Sequence, residues 1–264
     1  MDTTQPPIVL VFAGNDPSGG AGLCADIQAL ASMNCHTAPI VTCITQQDTC
    51  HLRASLPLSG EQVAAQAEIV LADMPIAACK IGLLGTVEIV EAIQQVLLKY
   101  PDIPVILDPV LAAGGGGESL IKGNVADAIV NKLLPLTKIV TPNSVEARTL
   151  AKKTHSLDAA AAQLIDYGCE YVCITGTHED TDFVINSLYT SNNKEEPIIK
   201  SWSWQRLPHT YHGSGCTYAA SLAGLLAQGK DMLTAVYDAQ LYTWTSLQRG
   251  YQAGHGQALP NRLI

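Results

Sequence analysis

The segment of residues 211–217, Tyr-His-Gly-Ser-Gly-Cys-Thr, contains the groups of this sequence that are best suited to chemistry. Two glycines flank Ser214, and the apolar stretch that follows at residues 218–227 predicts a helix. Backbone N–H groups at the start of a helix lack partners, and the helix dipole adds about half a positive charge there. We therefore predict that Gly213, Ser214 and Gly215 bind phosphate.

Cys216 falls in the first turn of this predicted helix. A helix N-terminus can lower the pKa of a thiol from about 8.5 to roughly 3.5–7.5. The position thus predicts a thiolate, a candidate base, beside the bound phosphate. The alternative is an ordinary helix start that contains a small buried thiol. Of the seven histidines, only His212 is considered for this site.

The composition is that of a globular chain with an acidic surface. The 264 residues are 47% apolar and 15% charged, and no linker or repeat divides them, so we predict one domain over residues 1–264. A net charge of −9 argues against binding to nucleic acid or anionic membranes. A phosphate ligand would then be held by helix N-termini and bound cations.

The chain lacks the sequence features of secreted and membrane proteins. No apolar run reaches about 18 residues, the length that spans a membrane as a helix. Residues 1–7 have neither the basic region nor the apolar stretch of a signal peptide, so we expect a cytoplasmic location. The eight cysteines show no zinc-like spacing, and most are predicted to be reduced, buried thiols.

Short apolar runs alternate with stretches of helical period. Strands are predicted at residues 8–13, 37–45, 79–84, 105–107, 139–141 and 171–175, and helices at 21–33, 59–72, 87–100, 119–134, 145–152, 157–167, 218–227 and 232–248. Strands that are apolar throughout indicate a mostly parallel sheet with helices on both faces, a three-layer α/β/α fold. Residues 182–207 predict an antiparallel edge hairpin, and residues 250–264 an irregular tail.

Polar and glycine-rich segments follow the strands, where ligands bind in such sheets. They are residues 14–22, 46–49, 108–109 and 141–146. Asp26, one turn into the first helix, could bind a ligand or be a solvated residue favoured by the helix dipole. The glycines at residues 114–117 could close over a nucleotide or form a plain surface connection.

Two acidic positions are candidate ligands of Mg²⁺ through water. Asp108 ends a strand, and Mg²⁺ takes few protein oxygens and keeps most of its water. Asn143 and Glu146 have the spacing i, i+3, which places both on one helix face. The same spacing is typical of a capping box, and it does not separate the two interpretations.

With its loops in this order, the sequence resembles the ribokinase-like superfamily, and within it the hydroxymethylpyrimidine/phosphomethylpyrimidine kinases of thiamine biosynthesis. The resemblance covers nearly the whole chain, and it depends on residues 13–22 with 25–26, 45–49, 80–85, 107–110, 141–143 with 146, and 212–217. It implies ATP-dependent phosphorylation of the hydroxymethyl group of 4-amino-5-hydroxymethyl-2-methylpyrimidine, and possible phosphorylation of its monophosphate. It also implies Mg²⁺, a possible monovalent cation and a possible homodimer.

The resemblance assigns roles residue by residue. The residues that would hold the pyrimidine are Gly14, Asp26 and Gln47, and Leu83 and Val110 would lie against its ring. Those of the phosphate and metal region are Asp108, Asn143, Glu146 and Thr175, and those of the anion hole are Gly213, Ser214, Gly215 and Cys216. Cys216 stands where many ribokinase relatives have an aspartate base.

The sequence departs from the family pattern at several positions. Thr175 lies where members commonly have a lysine that contacts ATP phosphates, and Asn15, Gln46 and Asp48 replace the usual residues of two loops. Two alternative functions are therefore considered beside this one. One is a pyridoxal/pyridoxine kinase of the same superfamily, and the other is a catalytically weak pyrimidine-binding or regulatory protein.

Overall fold

The computed structural model describes residues 5–111, 124–152, 154–190 and 198–264. Nine strands form one sheet in the order β3-β2-β1-β4-β5-β6-β7-β8-β9. They are β1 Ile8–Asn15, β2 His36–Gln47, β3 Leu52–Pro57, β4 Ile76–Ile81, β5 Val105–Leu107, β6 Ile139–Val140, β7 Tyr171–Thr175, β8 Phe183–Thr190 and β9 Ile198–Gln205. The six strands from β2 to β7 are parallel to one another, and three antiparallel strands occupy the two edges.

Helices cover both faces of the sheet. They are α1 Gly22–Ser32, α2 Gly60–Asp73, α3 Val87–Leu97, α4 Val125–Ala128, α5 Ser144–Leu150, α6 Leu157–Asp166, α7 Ser214–Ala227 and α8 Met232–Gln248. One buried apolar cluster joins the sheet to α2 through α6, and a second joins its other face to α1, α7 and α8. The predicted three-layer α/β/α architecture is confirmed.

One edge of the sheet differs from the prediction. The β8–β9 hairpin is confirmed, but β3 also pairs antiparallel with β2, at the opposite edge, and no strand was predicted there. Arg53 and Ser55 interrupt the apolar pattern of β3, so its sequence resembles a loop. Strand β2 also extends to Gln47, which places that side chain on a paired strand rather than in a loop.

The helix predicted at residues 119–134 is only partly described. Its described portion is α4, followed by a π-helical turn at Ile129–Leu133 and a 3-10 turn at Leu134–Leu136. Pro135 explains why the regular helix ends here, since proline has no N–H to donate. The glycines at residues 114–117 lie outside the described residues.

The order of the strands places the ligand site. From β1 the chain continues to β2 on one side and later to β4 on the other, so the strand order reverses between β1 and β4. Crevices form at the carboxyl ends of strands at such a point. Within the described residues, no helix has the length and apolar character needed to cross a membrane.

Candidate active site

A cleft of about 760 Å³ opens at the carboxyl ends of the parallel strands. This volume is within the range of about 300–1,000 Å³ that is usual for small-molecule sites. Predicted site residues that line the cleft are Gly14, Gln47, Leu83, Asp108, Val110, Asn143, Glu146, Thr175, Gly213, Ser214, Gly215 and Cys216. The structure thus brings together every predicted site residue except Asp26.

The start of α7 has the geometry of an anion site. The first bond within the helix runs from Thr217 N–H to Gly213 O at 2.9 Å, so the amides of residues 213–216 have no partner inside the helix. Gly213 has a φ of 83°, which favours glycine. A Cβ at this position would lie 1.9 Å from the carbonyl oxygen of Gly20. We call residues 213–216 the cradle.

The first loop is fixed against the cradle through a buried carboxylate. Asp16 accepts hydrogen bonds at 2.8 Å from the amides of Ser18 and Ala21 and pairs with His212 Nε2 at the same distance. Burial opposes ionisation, but hydrogen bonds from His212, Gln47 and Ser18 lower the pKa of Asp16 well below its usual range. Asp16 is therefore an anion that organises the loop, and His212 connects it to α7.

Cys216 differs from the prediction. Burial raises the pKa of its thiol to about 12, and the negative charges of Asp108 and Asp26 act in the same direction. The charge of Lys80 and a hydrogen bond from the amide of Gly22 oppose the rise but do not cancel it. The prediction of a thiolate is wrong for the unliganded protein, because the helix N-terminus is outweighed by burial beside two carboxyl groups.

Asp26 is neither solvated nor in the cleft. It has no exposed surface, and both of its carboxylate oxygens lie 3.0 Å from Lys80 Nζ. Burial raises the pKa of Asp26 to about 6, against the opposing charge of Lys80. The solvated interpretation is therefore wrong, and a ligand in the cleft would meet Lys80 before it reached Asp26.

Asp108 and Glu146 form an acidic pair. Oδ2 of Asp108 is buried without a hydrogen-bond partner and lies 3.7 Å from Lys80 Nζ. Burial, and then the charge of Asp108, raises the pKa of Glu146 to about 8. An orphaned carboxylate oxygen near a second carboxyl group fits a hard cation that takes oxygen ligands.

The capping box of α5 is also present. Asn143 Oδ1 accepts from the amides of Val145 and Glu146 at 2.9 Å, and Glu146 Oε2 accepts from the amide of Asn143 at 2.9 Å. The capping interpretation is thus confirmed. The amide of Leu111 also hydrogen-bonds to the carboxyl of Glu146, so the side chain is held by backbone groups of two segments.

The opposite wall combines apolar side chains with one amide. Leu83 and Val110 form a small cluster with Cys43 beneath the cleft. Gly14 permits the side chain of Cys43 to approach the backbone of β1 closely, since a Cβ at Gly14 would lie 2.6 Å from Cys43 Sγ. Gln47, at the end of β2, also lines the cleft, and its side chain hydrogen-bonds to Asp16. Such a wall suits a flat heteroaromatic ring that bears hydrogen-bonding groups.

The far side of the cleft lies next to Thr175. Here Arg206 donates to the carbonyl oxygens of Thr177, Glu179 and Thr181 at 2.8–2.9 Å and so fixes the loop that follows β7. Arg206 lines the cleft, so a guanidinium is present on the side where Thr175 provides no charge. His178 and His209 line the cleft too, so limiting the candidates to His212 was too narrow.

Several functional side chains were missed in the sequence. They are Asp16, Lys80 and Arg206, which all line the cleft. Lys80 gave a usable signal, because a lysine within an apolar parallel strand must find a buried partner. The other two gave none, since their partners are backbone groups or, for Asp16, a histidine far away in the chain. Trp202 is buried and packs in the core.

Comparisons of sequence with known proteins support this description. The sequence pattern of the phosphomethylpyrimidine kinase family matches residues 16–261. A hydroxymethylpyrimidine/phosphomethylpyrimidine kinase of Streptomyces coelicolor is 32% identical over 260 residues, covering 95% of this chain and 92% of the relative. One of the same description from Synechococcus elongatus is 34% identical over 260 residues, or 95% of each chain.

Solved structures show the same fold. The pyridoxal kinase of Staphylococcus aureus in complex with pyridoxal has a TM-score of 0.87 at 27% identity, covering 98% of this chain and 94% of that one. The phosphomethylpyrimidine kinase of Clostridium difficile has a TM-score of 0.76 at 27% identity, covering 90% and 97%. The predicted ribokinase-like fold is thus confirmed. Because the family pattern extends from the first loop to the C-terminal tail, this chain belongs to the phosphomethylpyrimidine kinase family and is a phosphotransferase.

Proposed function

We propose that this protein transfers the γ-phosphoryl group of ATP to the hydroxymethyl oxygen of 4-amino-5-hydroxymethyl-2-methylpyrimidine. One observation carries the proposal: a single cleft joins a wall suited to a heteroaromatic ring to an anion cradle. Family relatives described as hydroxymethylpyrimidine/phosphomethylpyrimidine kinases support the same substrate, and the second half of that description supports the monophosphate as a further substrate.

The ring would bind between the apolar cluster and the end of β2. Leu83 and Val110 would contact its face, and the Gln47 amide would exchange hydrogen bonds with the aminopyrimidine edge. Gly14 keeps the floor of the site clear of a side chain. Asp26 would act indirectly, by holding Lys80 in position at the base of the cleft.

The hydroxymethyl oxygen would attack the γ-phosphorus while the bond from that phosphorus to the bridging oxygen of ADP breaks. The cradle amides would stabilise the charge on the transferring group, which is the main need of a loose transition state. The alcohol proton would leave toward Cys216 and Asp108. The thiol of Cys216 interacts with the carboxyl of Asp108, so a neutral thiol could pass a proton to this carboxylate.

Asp108 and Glu146 would hold Mg²⁺ through water. Their orphaned oxygen and raised pKa values fit a cation, as described above. When bound, Mg²⁺ supplies positive charge to the phosphate oxygens of ATP. Asn143 would position Glu146 through the capping box, and Thr175, which pairs with Asn143 in a β-bridge, would border the nucleotide on the same side of the cleft.

A second candidate is pyridoxal. It rests on the similarity to the Staphylococcus aureus kinase in complex with pyridoxal, which exceeds the structural similarity to the Clostridium difficile enzyme. Both rings carry a hydroxymethyl group and are similar in size. A homodimer, a monovalent cation and a cytoplasmic location remain predictions.

The test is ADP release from ATP and Mg²⁺ with each alcohol in turn: hydroxymethylpyrimidine, its monophosphate, pyridoxal and pyridoxine. We expect turnover with the first. Preference for pyridoxal, without turnover of hydroxymethylpyrimidine, would contradict the proposal. Tight binding of the pyrimidine without turnover would support the regulatory alternative instead.

A matched pair of variants links turnover to the cradle. Gly213→Ala adds a Cβ that would meet Gly20, whereas Gly229→Ala, at the other end of the same helix, meets nothing within 4 Å. Both glycines have positive φ values, 83° and 81°, so both variants carry a similar backbone cost. Only Gly213→Ala should abolish turnover. Equal activity in the two variants would exclude the cradle as the phosphoryl site.

A further inference from the structure

Arg262, in the C-terminal tail, is a buried cation that the function above does not use. Only 2% of its surface is exposed. It lies one residue beyond the segment that matches the family pattern. Buried arginines are uncommon because the cost of removing the charge from water must be offset by partners. Its partners therefore indicate what it does.

The guanidinium of Arg262 joins three parts of the chain. Nε donates to Thr217 Oγ1 at 2.8 Å, in the first turn of α7. Nη2 donates to the carbonyl oxygen of Gly20 in the first loop, and Nη1 donates to Gln28 Oε1 at 3.1 Å in α1. The rigid fork of an arginine fits this set of diverging acceptors, which a lysine could satisfy only in part.

Through these bonds Arg262 reaches the cradle. Thr217 Oγ1, which accepts from Arg262, itself donates to Gly213 O at 2.7 Å. Nη2 is also close to Gly213 itself, since a Cβ added to this glycine would lie 2.8 Å from Nη2. The backbone conformation of Gly213, the first residue of the cradle, is thus held from behind by the tail and from the side by the first loop.

Arg262 forms no salt bridge within the described part of the chain. Among the residues that the structure describes, its guanidinium donates only to neutral hydroxyl, amide and carbonyl oxygens. It interacts electrostatically with Cys216 and Asp26. A buried positive charge without a salt-bridge partner among the described residues therefore lies behind the amides of the cradle, in a chain whose net charge is −9.

We propose that Arg262 is a positioning residue for the cradle: it holds the first loop against the start of α7 and places a fixed positive charge behind the amides that receive the γ-phosphate. This inference rests on the proposed phosphoryl transfer. It assigns to the tail a role in binding one phosphate group, beyond packing. The predicted irregular tail is therefore part of the site.

The experiment compares two nucleotides that differ in the γ-phosphate. Affinities for ADP and for AMP-PCP are measured by calorimetry for the wild type, Arg262→Gln and Arg262→Lys. Arg249→Gln is the control, because it removes the same charge at an exposed position of the same C-terminal region. If Arg262 had a purely structural role, its replacement would weaken the binding of both nucleotides alike. If it positions the cradle, its replacement weakens the binding of AMP-PCP selectively.

We expect Arg262→Gln to raise the ratio of the AMP-PCP Kd to the ADP Kd about 10-fold, less than the roughly 10²–10³-fold loss from a direct donor. Arg262→Lys, which keeps the charge but not the fork, should raise the ratio about threefold. The inference would be overturned if either Arg262 variant, once folded, had the same Kd ratio as the Arg249→Gln control. Because Arg262→Lys can be measured alone, the inference stays testable if Arg262→Gln does not fold.

The nucleotide measurement requires no alcohol substrate, so its outcome is separate from that of the turnover assay. Nucleotide binding by a wild type that does not phosphorylate hydroxymethylpyrimidine would refute only the proposed substrate, and binding of neither nucleotide would overturn both proposals.

Discussion

The two walls of the cleft differ in how their buried charges are balanced. On the wall formed by α1 and the first loop, Asp26 contacts Lys80 with both oxygens, and Asp16 is held by two amides and His212. On the wall formed by β5 and α5, Asp108 Oδ2 lies farther from the same lysine, at 3.7 Å, and burial together with the charge of Asp108 raises the pKa of Glu146. We expect the first, balanced wall to stabilise the fold, whereas the second wall suits the cation that we propose to accompany the nucleotide.

The largest effect is expected on the balanced wall. Asp26→Asn should leave Lys80 buried without its main partner and lower the free energy of unfolding by about 3–5 kcal/mol. Urea denaturation measures this loss. In the double variant Asp26→Leu with Lys80→Met, both charges are replaced by apolar groups, and most of the stability should return. A single variant as stable as the wild type would show that the pair does not support the fold.

The next effect concerns turnover. Cys216→Ala should lower kcat by about 10²-fold, the lower end of the range for loss of a proton-transfer group, because the thiol is neutral before substrate binds. Cys216→Ser should retain more activity, since a hydroxyl can still donate to Asp108. Cys50→Ala, at an exposed cysteine, is the control. Normal turnover in Cys216→Ala would reduce this residue to a small packing group.

The same protonation state predicts slow alkylation of Cys216. The thiolate is the reactive form, and burial raises the pKa of this thiol to about 12. Mass spectrometry after brief exposure to iodoacetamide should therefore find Cys50 modified before Cys216. Preferential labelling of Cys216 would show that the protein stabilises its thiolate after all.

A smaller effect should appear in the pH dependence of stability. The pKa of Glu146 rises from 4.5 to about 8 in the fold, so its contribution is full below pH 4.5 and is lost as the pH rises through about 8. Glu146→Gln keeps an acceptor for the capping box, and it should flatten the decline of Tm across this window. Parallel Tm curves for the two proteins would show that Glu146 ionises normally.

The smallest effect is expected from Gln47→Ala, which removes hydrogen bonds made equally to substrate and transition state. The KM for hydroxymethylpyrimidine should rise about 2- to 10-fold while kcat stays unchanged. Gln46→Ala is the matched control, because this neighbour is exposed and does not line the cleft. A fall in kcat at constant KM would assign Gln47 to the chemistry instead.

The sequence predicted the parallel sheet, its two helical layers and most of the cleft, because these depend on local patterns. Apolar strands such as β5 and the glycines around Ser214 give strong local signals. The predictions of a thiolate at Cys216 and of a solvated Asp26 were wrong, because both properties depend on Lys80 and Asp108, which are far away in the chain. Strand β3 was missed because an edge strand with polar residues has no distinct period.

The hydrogen bonds of the first loop and α1 have a consequence for the order of folding. Asp16 and His212 are 196 positions apart, and Gln28 and Arg262 are 234 positions apart. Closing such long loops costs conformational entropy that local elements do not incur, and contacts of high sequence separation slow folding. We therefore expect a refolding chain to regain its helical signal well before it can hold a nucleotide. ATP would then stabilise only the finished fold and leave earlier intermediates without its protection.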